Sequence, residues 1–396
     1  MKIYLIAGEP SGDALGSRLM RALKRKSSSI EVLGVGGDSM EKEGLKSLFD
    51  ISDLAIMGLA EVVPSIPKVL QRIREVVADI VKTKPDIVVT IDSWSFSVRV
   101  HEKLRKLELN IPQVHYVAPQ VWAWKKKRAQ TMHKYIDHLL TLLPNEPEYF
   151  TPYGLDTTFV GHPVIESGVE KGDAANFRKK LNLPSKKKLI ALLPGSRHNE
   201  VSMLLPIFLE AAEELLKTNE NFHFIIPTVH TVSARVKNMV EQSNLPVTIV
   251  EDAGDRLNAF KSADVAIAAS GTVSLELAIA GVPHVIAYKL SLLSETLAKV
   301  FVKIKFVNLP NILLDKEIVP ELILEKCTSK NMVESTLDLL SKGPLYDLQI
   351  KGFEDVRKIL GLGKKNPSDH AAEKLIALAE KETCKAGVKC IYSYKK

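Results

Sequence analysis

The feature that most constrains this chain is a repeated alternation of short apolar runs with segments of helical spacing. Runs that are apolar throughout are typical of parallel strands covered by helices on both faces. The runs form two series, which are separated by a stretch rich in proline and glycine between residues 144 and 163. The first series lies at 2–7, 31–35, 87–91, 113–117 and 138–142, and the second at 189–193, 223–226, 247–250, 265–268 and 284–287. Two series predict two doubly wound α/β domains.

The prolines and glycines of the stretch between the two series set the expected domain boundary. We predict an N-terminal Rossmann-like domain over residues 1–163 and a C-terminal Rossmann-like domain over 164–343. Helical spacing continues at 344–382, which predicts C-terminal helices, and we expect 383–396 to be a poorly ordered tail. The length of 396 residues is consistent with two to three domains.

The composition excludes several classes of protein. Hydrophobic residues make up 45% of the chain and charged residues 26%, which is not typical of collagen-like or disordered proteins. Three cysteines without framework spacing indicate a reducing compartment, and no apolar run reaches the roughly 18 residues that span a bilayer. We therefore expect a cytoplasmic protein, with association at a membrane surface left open. A net charge of +7 favours an anionic substrate or lipid and does not by itself indicate nucleic acid.

Three loops that join a predicted strand to a predicted helix could bind phosphate. They are 8–13, 194–197 and 269–272. Glycine lets the backbone approach a ligand closely, and the free amides of a helix start favour an anion. The candidates in the second half are Ser196, Arg197, Ser270, Gly271 and Thr272. The alternative is that Ser270 and Thr272 only cap their helix. The usual dinucleotide, P-loop and hydrolase fingerprints are absent.

Two carboxylates occupy positions where chemistry is plausible. Glu276 follows Thr272 by four residues, where it could bind a ribose diol or interact favourably with a helix N-terminus. Asp92 ends a buried strand at the edge where ligands of parallel sheets bind, and it could be a general base. Its alternative role is to fix the turn that follows the strand.

The ten histidines have no metal-binding spacing, so we expect no metal. Two stretches combine apolar residues with turn formers or lysines, which fits an interface with anionic lipid or, alternatively, ordinary core with a solvated rim. The candidate membrane contacts are Met57, Leu59, Val62, Val63, Lys299 and Lys303.

Five motifs, taken together and in this order, resemble the lipid-A-disaccharide synthase family of Gram-negative glycosyltransferases over roughly residues 1–380. The motifs are GEPSGD at 8–13, HYVAPQVWAW at 115–124, FVGHP at 159–163, LLPGSR at 192–197 and ASGT at 269–272. The resemblance implies the GT-B fold, in which two Rossmann-like domains face a cleft. The chain departs from the family at Ser95, where the family commonly has a second Asp three residues after Asp92.

The resemblance also implies an inverting reaction between UDP-2,3-diacylglucosamine and 2,3-diacylglucosamine 1-phosphate, which gives the lipid A disaccharide 1-phosphate and UDP. It assigns Asp92 as the general base and implies a peripheral protein of the inner membrane that uses neither a cofactor nor a metal. The resemblance further implies that the donor is bound by Ser196, Arg197, Ser270, Gly271, Thr272, Glu276 and Asn311. The first-domain loops that meet the acceptor contain Glu9, Ser11, Gly12, Asp13, His115, Trp122, Trp124 and Arg128.

Two other hypotheses remain open from the sequence. A different glycosyltransferase or a UDP-sugar 2-epimerase would share the second-half loops, but it would have no use for the apolar surface. A non-enzymatic scaffold would bind UDP or lipid without turnover. The oligomeric state is not determined by any of these patterns.

Overall fold

The computed structural model describes residues 1–54, 59–121, 127–184, 186–219, 221–289 and 305–385. For residues 59–65, 253 and 382–385 it describes the backbone but not the side chains. The chain divides into two compact units. The first contains Met1–Pro163 and the chain from Gly363 onward, and the second contains Val164–Leu362.

The first unit is built on a parallel sheet in the order β2-β1-β3-β4-β5-β6. Its strands are Lys2–Ala7 (β1), Glu31–Val35 (β2), Ile87–Ile91 (β3), Gln113–Tyr116 (β4), His138–Thr141 (β5) and Asp156–Phe159 (β6). Its helices are Pro10–Lys26 (α1), Asp38–Lys42 (α2), Leu59–Thr83 (α3), Trp94–Lys106 (α4), Lys127–Thr131 (α5) and, from the C-terminal part of the chain, Pro367–Lys385 (α14).

Strand β1 shows why these apolar runs form a central strand. Successive side chains of a strand point to opposite faces of the sheet. Ile3 and Leu5 therefore pack in one cluster with residues of α1 and α14, whereas Tyr4 and Ile6 pack in another with residues of α3 and α4. Burial of each such side chain contributes on the order of 2 kcal/mol, which explains why the whole run is apolar.

The second unit contains another parallel sheet, in the order β12-β11-β10-β7-β8-β9. Its strands are Lys188–Leu193 (β7), Phe222–Pro227 (β8), Val247–Val250 (β9), Val265–Ala269 (β10), His284–Tyr288 (β11) and Glu321–Ile323 (β12). Its helices are Ala174–Lys180 (α6), His198–Thr218 (α7), His230–Glu241 (α8), Ala253–Ser262 (α9), Val273–Ala280 (α10), Leu309–Leu314 (α11), Ser329–Leu340 (α12) and Pro344–Leu360 (α13). The predicted doubly wound α/β class is confirmed.

The C-terminal helices, which the sequence predicts over residues 344–382, belong to two different units. Helix α13 belongs to the second unit, where Phe353 stacks on His284 with ring centroids 5.3 Å apart. Helix α14 belongs to the first unit and packs on α1, with an ion pair of 2.8 Å between Arg25 and Asp369. Glycines with positive φ at 361 and 363 allow the chain to turn between these helices. Each of the two helices buries its apolar face on a different sheet.

No helix among the described residues combines the length and apolar character needed to cross a bilayer.

Candidate functional site

The first candidate site lies where the strand order of the first unit reverses. Strands β1 and β3 are neighbours there, and ligands of open parallel sheets bind outside such a point. The loop after β1 contains Glu9 and Ser11, and the turn after β3 contains Asp92 and Ser93. The topology therefore brings together side chains that are more than 80 residues apart in sequence.

The backbone of this turn is strained. Asp92 and Ser93 have φ values of 58° and 44°, in the left-handed region that non-glycine residues rarely adopt. Such residues cost roughly 1–3 kcal/mol each and concentrate at functional sites. The turn is fixed by bonds from the Asp92 amide to the Tyr116 carbonyl oxygen at 2.9 Å and from Ser97 Oγ to the Asp92 carbonyl oxygen at 2.9 Å.

Both oxygens of the Asp92 carboxylate accept hydrogen bonds. Oδ1 accepts from the Ser93 amide at 2.8 Å, and Oδ2 accepts from Ser11 Oγ at 3.1 Å. Ser93 Oγ donates in turn to Glu9 Oε1 at 2.7 Å. The carboxylate that sequence reasoning finds as a candidate base is thus held in a fixed orientation. Ser93 connects it to a second carboxylate, Glu9.

Gly12 explains why the loop approaches the strand so closely. A Cβ at this position would lie 3.0 Å from the Ile91 carbonyl oxygen. Asp13, the next residue, has a different role from Glu9 and Ser11. It is buried, and its carboxylate accepts from the amides of Gly37, Ser39 and Met40 at 2.8 to 3.0 Å. Asp13 therefore caps α2.

His115 belongs to a buried polar network behind the turn. Because Gln113 Oε1 can only accept, His101 Nδ1 donates to it, at 2.9 Å. Burial lowers the pKa of His101 to about 4, so its neutral Nε2 accepts from Thr90 Oγ1 at 2.8 Å. Thr90 Oγ1 then accepts from His115 Nδ1 at 2.7 Å.

The same assignment fixes the state of His115. Burial lowers the pKa of His115 well below its usual value, and the ring is therefore neutral. Its proton is on Nδ1, which leaves Nε2 unprotonated, and this buried atom has no hydrogen-bond partner among the described residues. The Trp94 ring packs edge-on against His115 at 4.7 Å. Since His115 has no exposed surface, it supports the wall of the site from behind.

Lys127 and Arg128 are the described members of the basic run after residue 124, and Lys127 is exposed. Arg128 lies half-buried on α5, and burial lowers the pKa of its guanidinium. Among the described residues, no carboxylate forms an ion pair with it. A partly desolvated arginine of this kind is suited to binding an anion.

The second candidate site lies at the equivalent reversal of the second unit. Strands β7 and β10 are neighbours, and each is followed by one of the predicted phosphate loops. Gly271 is exposed with φ of 154°, and nothing lies within 4 Å of the position its Cβ would take. Thr272 makes no side-chain cap to α10, and Ser270 Oγ donates to the Val307 carbonyl oxygen at 3.0 Å. The simple capping role is therefore not observed for either hydroxyl.

The loop after β7 already binds an anion, the side chain of Glu200. Glu200 Oε2 accepts from the amides of Ser196 and Arg197 at 3.1 and 3.3 Å, and Oε1 accepts from the Arg197 guanidinium at 2.7 Å. Gly195, with φ of 111°, is needed because a Cβ there would contact the Glu200 side chain. Glu200 is not among the residues predicted from the sequence, although the spacing of Arg197 and Glu200 is that of a capping box.

Glu276 and Asn311 are placed differently from one another. Glu276 lies half-buried in the first turn of α10, next to the loop at 270–272. Asn311 is fully buried, and its amide is used internally. Its Nδ2 donates to the Val319 carbonyl oxygen and to Glu321, and its Oδ1 accepts from the amides of Ile318 and Val319. In this structure Asn311 holds the segment before β12.

The remaining predicted residues have no described side chains. Met57, Trp122, Trp124, Lys299 and Lys303 lie outside the described residues, as do the side chains of Leu59, Val62 and Val63. Within the described part of the chain, no group of three or more His, Cys, Asp or Glu side chains is arranged to hold a metal ion.

Comparison with known proteins points to one family. The family described as "Lipid-A-disaccharide synthetase" matches residues 3–375. A lipid-A-disaccharide synthase of Paramagnetospirillum magneticum is 45% identical over 379 residues, which cover 95% of this chain and 97% of that protein. One of Rhodospirillum centenum is 43% identical over 381 residues, or 96% of this chain and 95% of that protein.

Solved structures share the fold at low sequence identity. The UDP-GlcNAc 2-epimerase of Neisseria meningitidis bound to UDP-GlcNAc has a TM-score of 0.67 at 14% identity, covering 95% of this chain and 100% of that one. MurG of Acinetobacter baumannii has a TM-score of 0.55 at 14% identity, covering 95% and 99%. The predicted GT-B type of fold is confirmed.

Proposed function

Because the chain belongs to the lipid-A-disaccharide synthase family, we propose that it transfers the sugar of UDP-2,3-diacylglucosamine to 2,3-diacylglucosamine 1-phosphate. The acceptor's 6-hydroxyl oxygen attacks the anomeric carbon, and the bond from that carbon to the diphosphate breaks. The products are the β-1,6-linked lipid A disaccharide 1-phosphate and UDP. The observation that carries the proposal is the Asp92 carboxylate, held by two hydrogen bonds on a strained turn at the ligand-binding edge of the first sheet.

In this reaction Asp92 removes the proton of the attacking hydroxyl. The bonds from Ser11 and Ser93 orient its carboxylate before the substrate arrives, which is the preorganisation that general-base catalysis needs. A single displacement of this kind inverts the α-linked donor to a β product. Arg128, as a half-buried cation, is suited to the 1-phosphate of the acceptor. Glu9, through Ser93, keeps the turn in register with the loop after β1.

The donor binds at the loops after β7 and β10. The Ser196 and Arg197 donors, which hold the Glu200 carboxylate in the ligand-free protein, bind the diphosphate together with the amides that follow Gly271. Glu276 in α10 accepts from the ribose hydroxyls. The charge that develops on UDP is stabilised by Arg197 and by the first amides of α7 and α10, without a metal ion.

Both substrates carry acyl chains, so the protein works at the surface of the inner membrane from the cytoplasmic side. Helix α3 supports this proposal, because Ile66 and Leu70 are 45% and 40% exposed and lie one turn apart. Met57, Leu59, Val62, Val63, Lys299 and Lys303 are the further proposed contacts. Sedimentation with vesicles that contain anionic lipid should deplete the protein from solution, and Ile66→Ser with Leu70→Ser should reduce that binding.

The reaction is tested by mass spectrometry of the purified protein with UDP-2,3-diacylglucosamine and 2,3-diacylglucosamine 1-phosphate, with and without EDTA. We expect a tetraacyl disaccharide 1-phosphate and UDP in equal amounts under both conditions. Binding of UDP without either product would contradict the proposed reaction. Loss of activity in EDTA that Mg²⁺ restores would contradict only the metal-free part.

A further inference from the structure

Asn308 is a fully buried residue whose side-chain amide has no hydrogen-bond partner among the described residues. In that part of the chain, neither its Nδ2 nor its Oδ1 is bonded to another group. Each buried polar atom left unpaired is unfavourable, and native proteins keep few of them. The side chain does not cap α11 either. A ligand that supplies a hydrogen-bond partner would satisfy this amide.

The backbone around Asn308 is fixed next to the proposed donor site. The amides of Val307 and Asn308 donate to Glu321 at 2.9 and 3.0 Å. The Val307 carbonyl oxygen accepts from Ser270 Oγ at 3.0 Å, in the loop proposed to hold the diphosphate. Asn308 is therefore one residue away from a direct contact with that loop.

Asn311 provides a reference within the same segment. It is also fully buried, but both its amide hydrogens and its carbonyl oxygen are used by neighbouring groups. The chain thus satisfies a buried amide completely where that amide supports the fold. Packing alone gives no reason for an asparagine at position 308, since an apolar residue would fill the space without unpaired atoms.

The chemistry of the site indicates which group would pair with Asn308. A side-chain amide is neutral and can both donate and accept. The Glu321 carboxylate, bonded to the amide of Asn308 itself, disfavours an anion at this position. The complement is therefore a neutral group with donor and acceptor character, such as a hydroxyl or an acylamide, and the sugar attached to the diphosphate supplies both.

We infer that Asn308 is a specificity-determining residue, and that its amide binds a hydroxyl or the acylamide of the donor sugar. The inference rests on the proposed donor site at residues 270–272. Because the amide has no exposed surface in the ligand-free protein, the contact forms through a local rearrangement on donor binding. Pairing of the amide favours that rearrangement.

The test compares Asn308→Leu with the wild type, with Asn308→Ala as a second variant if the larger side chain is not accommodated. We expect the KM for UDP-2,3-diacylglucosamine to rise about tenfold, as for loss of a hydrogen bond that a site is built to make. The inhibition constant of UDP, which has no sugar, should stay within about twofold. The melting temperature should not fall, because the change removes unpaired buried atoms. In contrast, the matched variant Asn311→Leu should lower the melting temperature clearly.

An unchanged donor KM, or equal increases in the donor KM and the UDP inhibition constant, would overturn the inference. Titration of UDP, UDP-glucose and UDP-N-acetylglucosamine then identifies the group. Weaker binding of both sugars to Asn308→Leu indicates a hydroxyl, and weaker binding of the acetamido sugar alone indicates the acylamide. If the wild type forms no disaccharide, the proposed reaction fails by itself. In that case the titrations alone test the role of Asn308. Equal affinities of the wild type and Asn308→Leu for every ligand would overturn that role.

Discussion

The two sheets place their candidate sites at the same point of the topology but fill them with opposite chemistry. At the first reversal, between β1 and β3, the loops present two carboxylates, Glu9 and Asp92, connected through serine hydroxyls. At the second, between β7 and β10, they present glycines, backbone amides and Arg197. In the proposed function, the topology therefore decides where a ligand binds, and the few residues after each strand decide whether the site removes a proton or holds an anion.

The two sites also meet the same backbone requirement in different ways. Both need residues with positive φ directly after a strand. The second unit uses Gly195 and Gly271, which adopt this region without a Cβ penalty. The first uses Asp92 and Ser93, which are strained there but supply a carboxylate and a hydroxyl. Strained residues thus occur where a side chain is required, and glycines occur where we propose that the backbone itself binds the ligand.

Asp92→Asn should separate the two sites most clearly. The amide keeps the size of the side chain but cannot take a proton, so turnover should fall by about a hundredfold or more. UDP binding should be unchanged, because the proposed nucleotide site lies in the other unit. Both quantities are measured on one preparation, by initial rates and by calorimetric titration of UDP. A near-normal rate would mean that Asp92 is not the general base and only fixes the turn after β3.

Arg197→Ala should produce the opposite pattern. Loss of charge-assisted hydrogen bonds to the diphosphate should weaken UDP binding by about tenfold to a hundredfold. The matched control is Arg235→Ala, which removes the same charge from an exposed position on α8 of the same unit. If both variants bind UDP equally well, the loop after β7 serves only to hold Glu200, and the diphosphate lies elsewhere.

Local patterns were sufficient to predict the central strands and the loops that follow them. Strands such as β3 and β7 are buried on both faces, so their apolar runs are continuous and a ligand loop begins where each run ends. The edge strands β6 and β12 were not predicted, because β6 is largely polar and half-exposed and β12 has only three residues. Contacts between segments that are distant in sequence could not be predicted from local patterns either. The bond from Ser93 to Glu9 depends on the register of β1 and β3, and the contrast between Asn308 and Asn311 depends on packing that no spacing reveals.

The two units should also differ in their response to acid. In the first unit, burial lowers the pKa of His101, His138 and His162 to about 4, whereas in the second only His284 reaches that value among the described residues. These groups are neutral in the folded protein, but the unfolded chain takes up their protons near pH 6.5. The free energy of unfolding is therefore highest above pH 6.5 with respect to these groups, and it decreases as the pH falls towards 4. At pH 5 the decrease is about 2 kcal/mol per group.

All three tryptophans lie in the first unit, so their fluorescence reports that unit alone. Burial raises the pKa of Glu146 to about 7. Glu146 therefore increases the free energy of unfolding as the pH falls, and this offsets the decrease caused by roughly one of the histidines. We expect the fluorescence transition on acidification to occur about one pH unit above the final loss of circular dichroism. Coincident transitions would contradict a difference in acid stability between the units.

Ser93→Ala should have the smallest effect and tests how far the first site depends on its connection to Glu9. The variant keeps the backbone bond from the Ser93 amide to Asp92 but removes the hydroxyl that donates to Glu9. Turnover should decrease about three- to tenfold, since one hydrogen bond to a charged group is lost, and UDP binding should not change. Ser17→Ala is the matched control, because within the described part of the chain its hydroxyl bonds only to the Ala14 carbonyl oxygen of α1. A rate equal to that of the control would mean that Asp92 is oriented by Ser11 and the strained backbone alone, and that Glu9 acts independently of it.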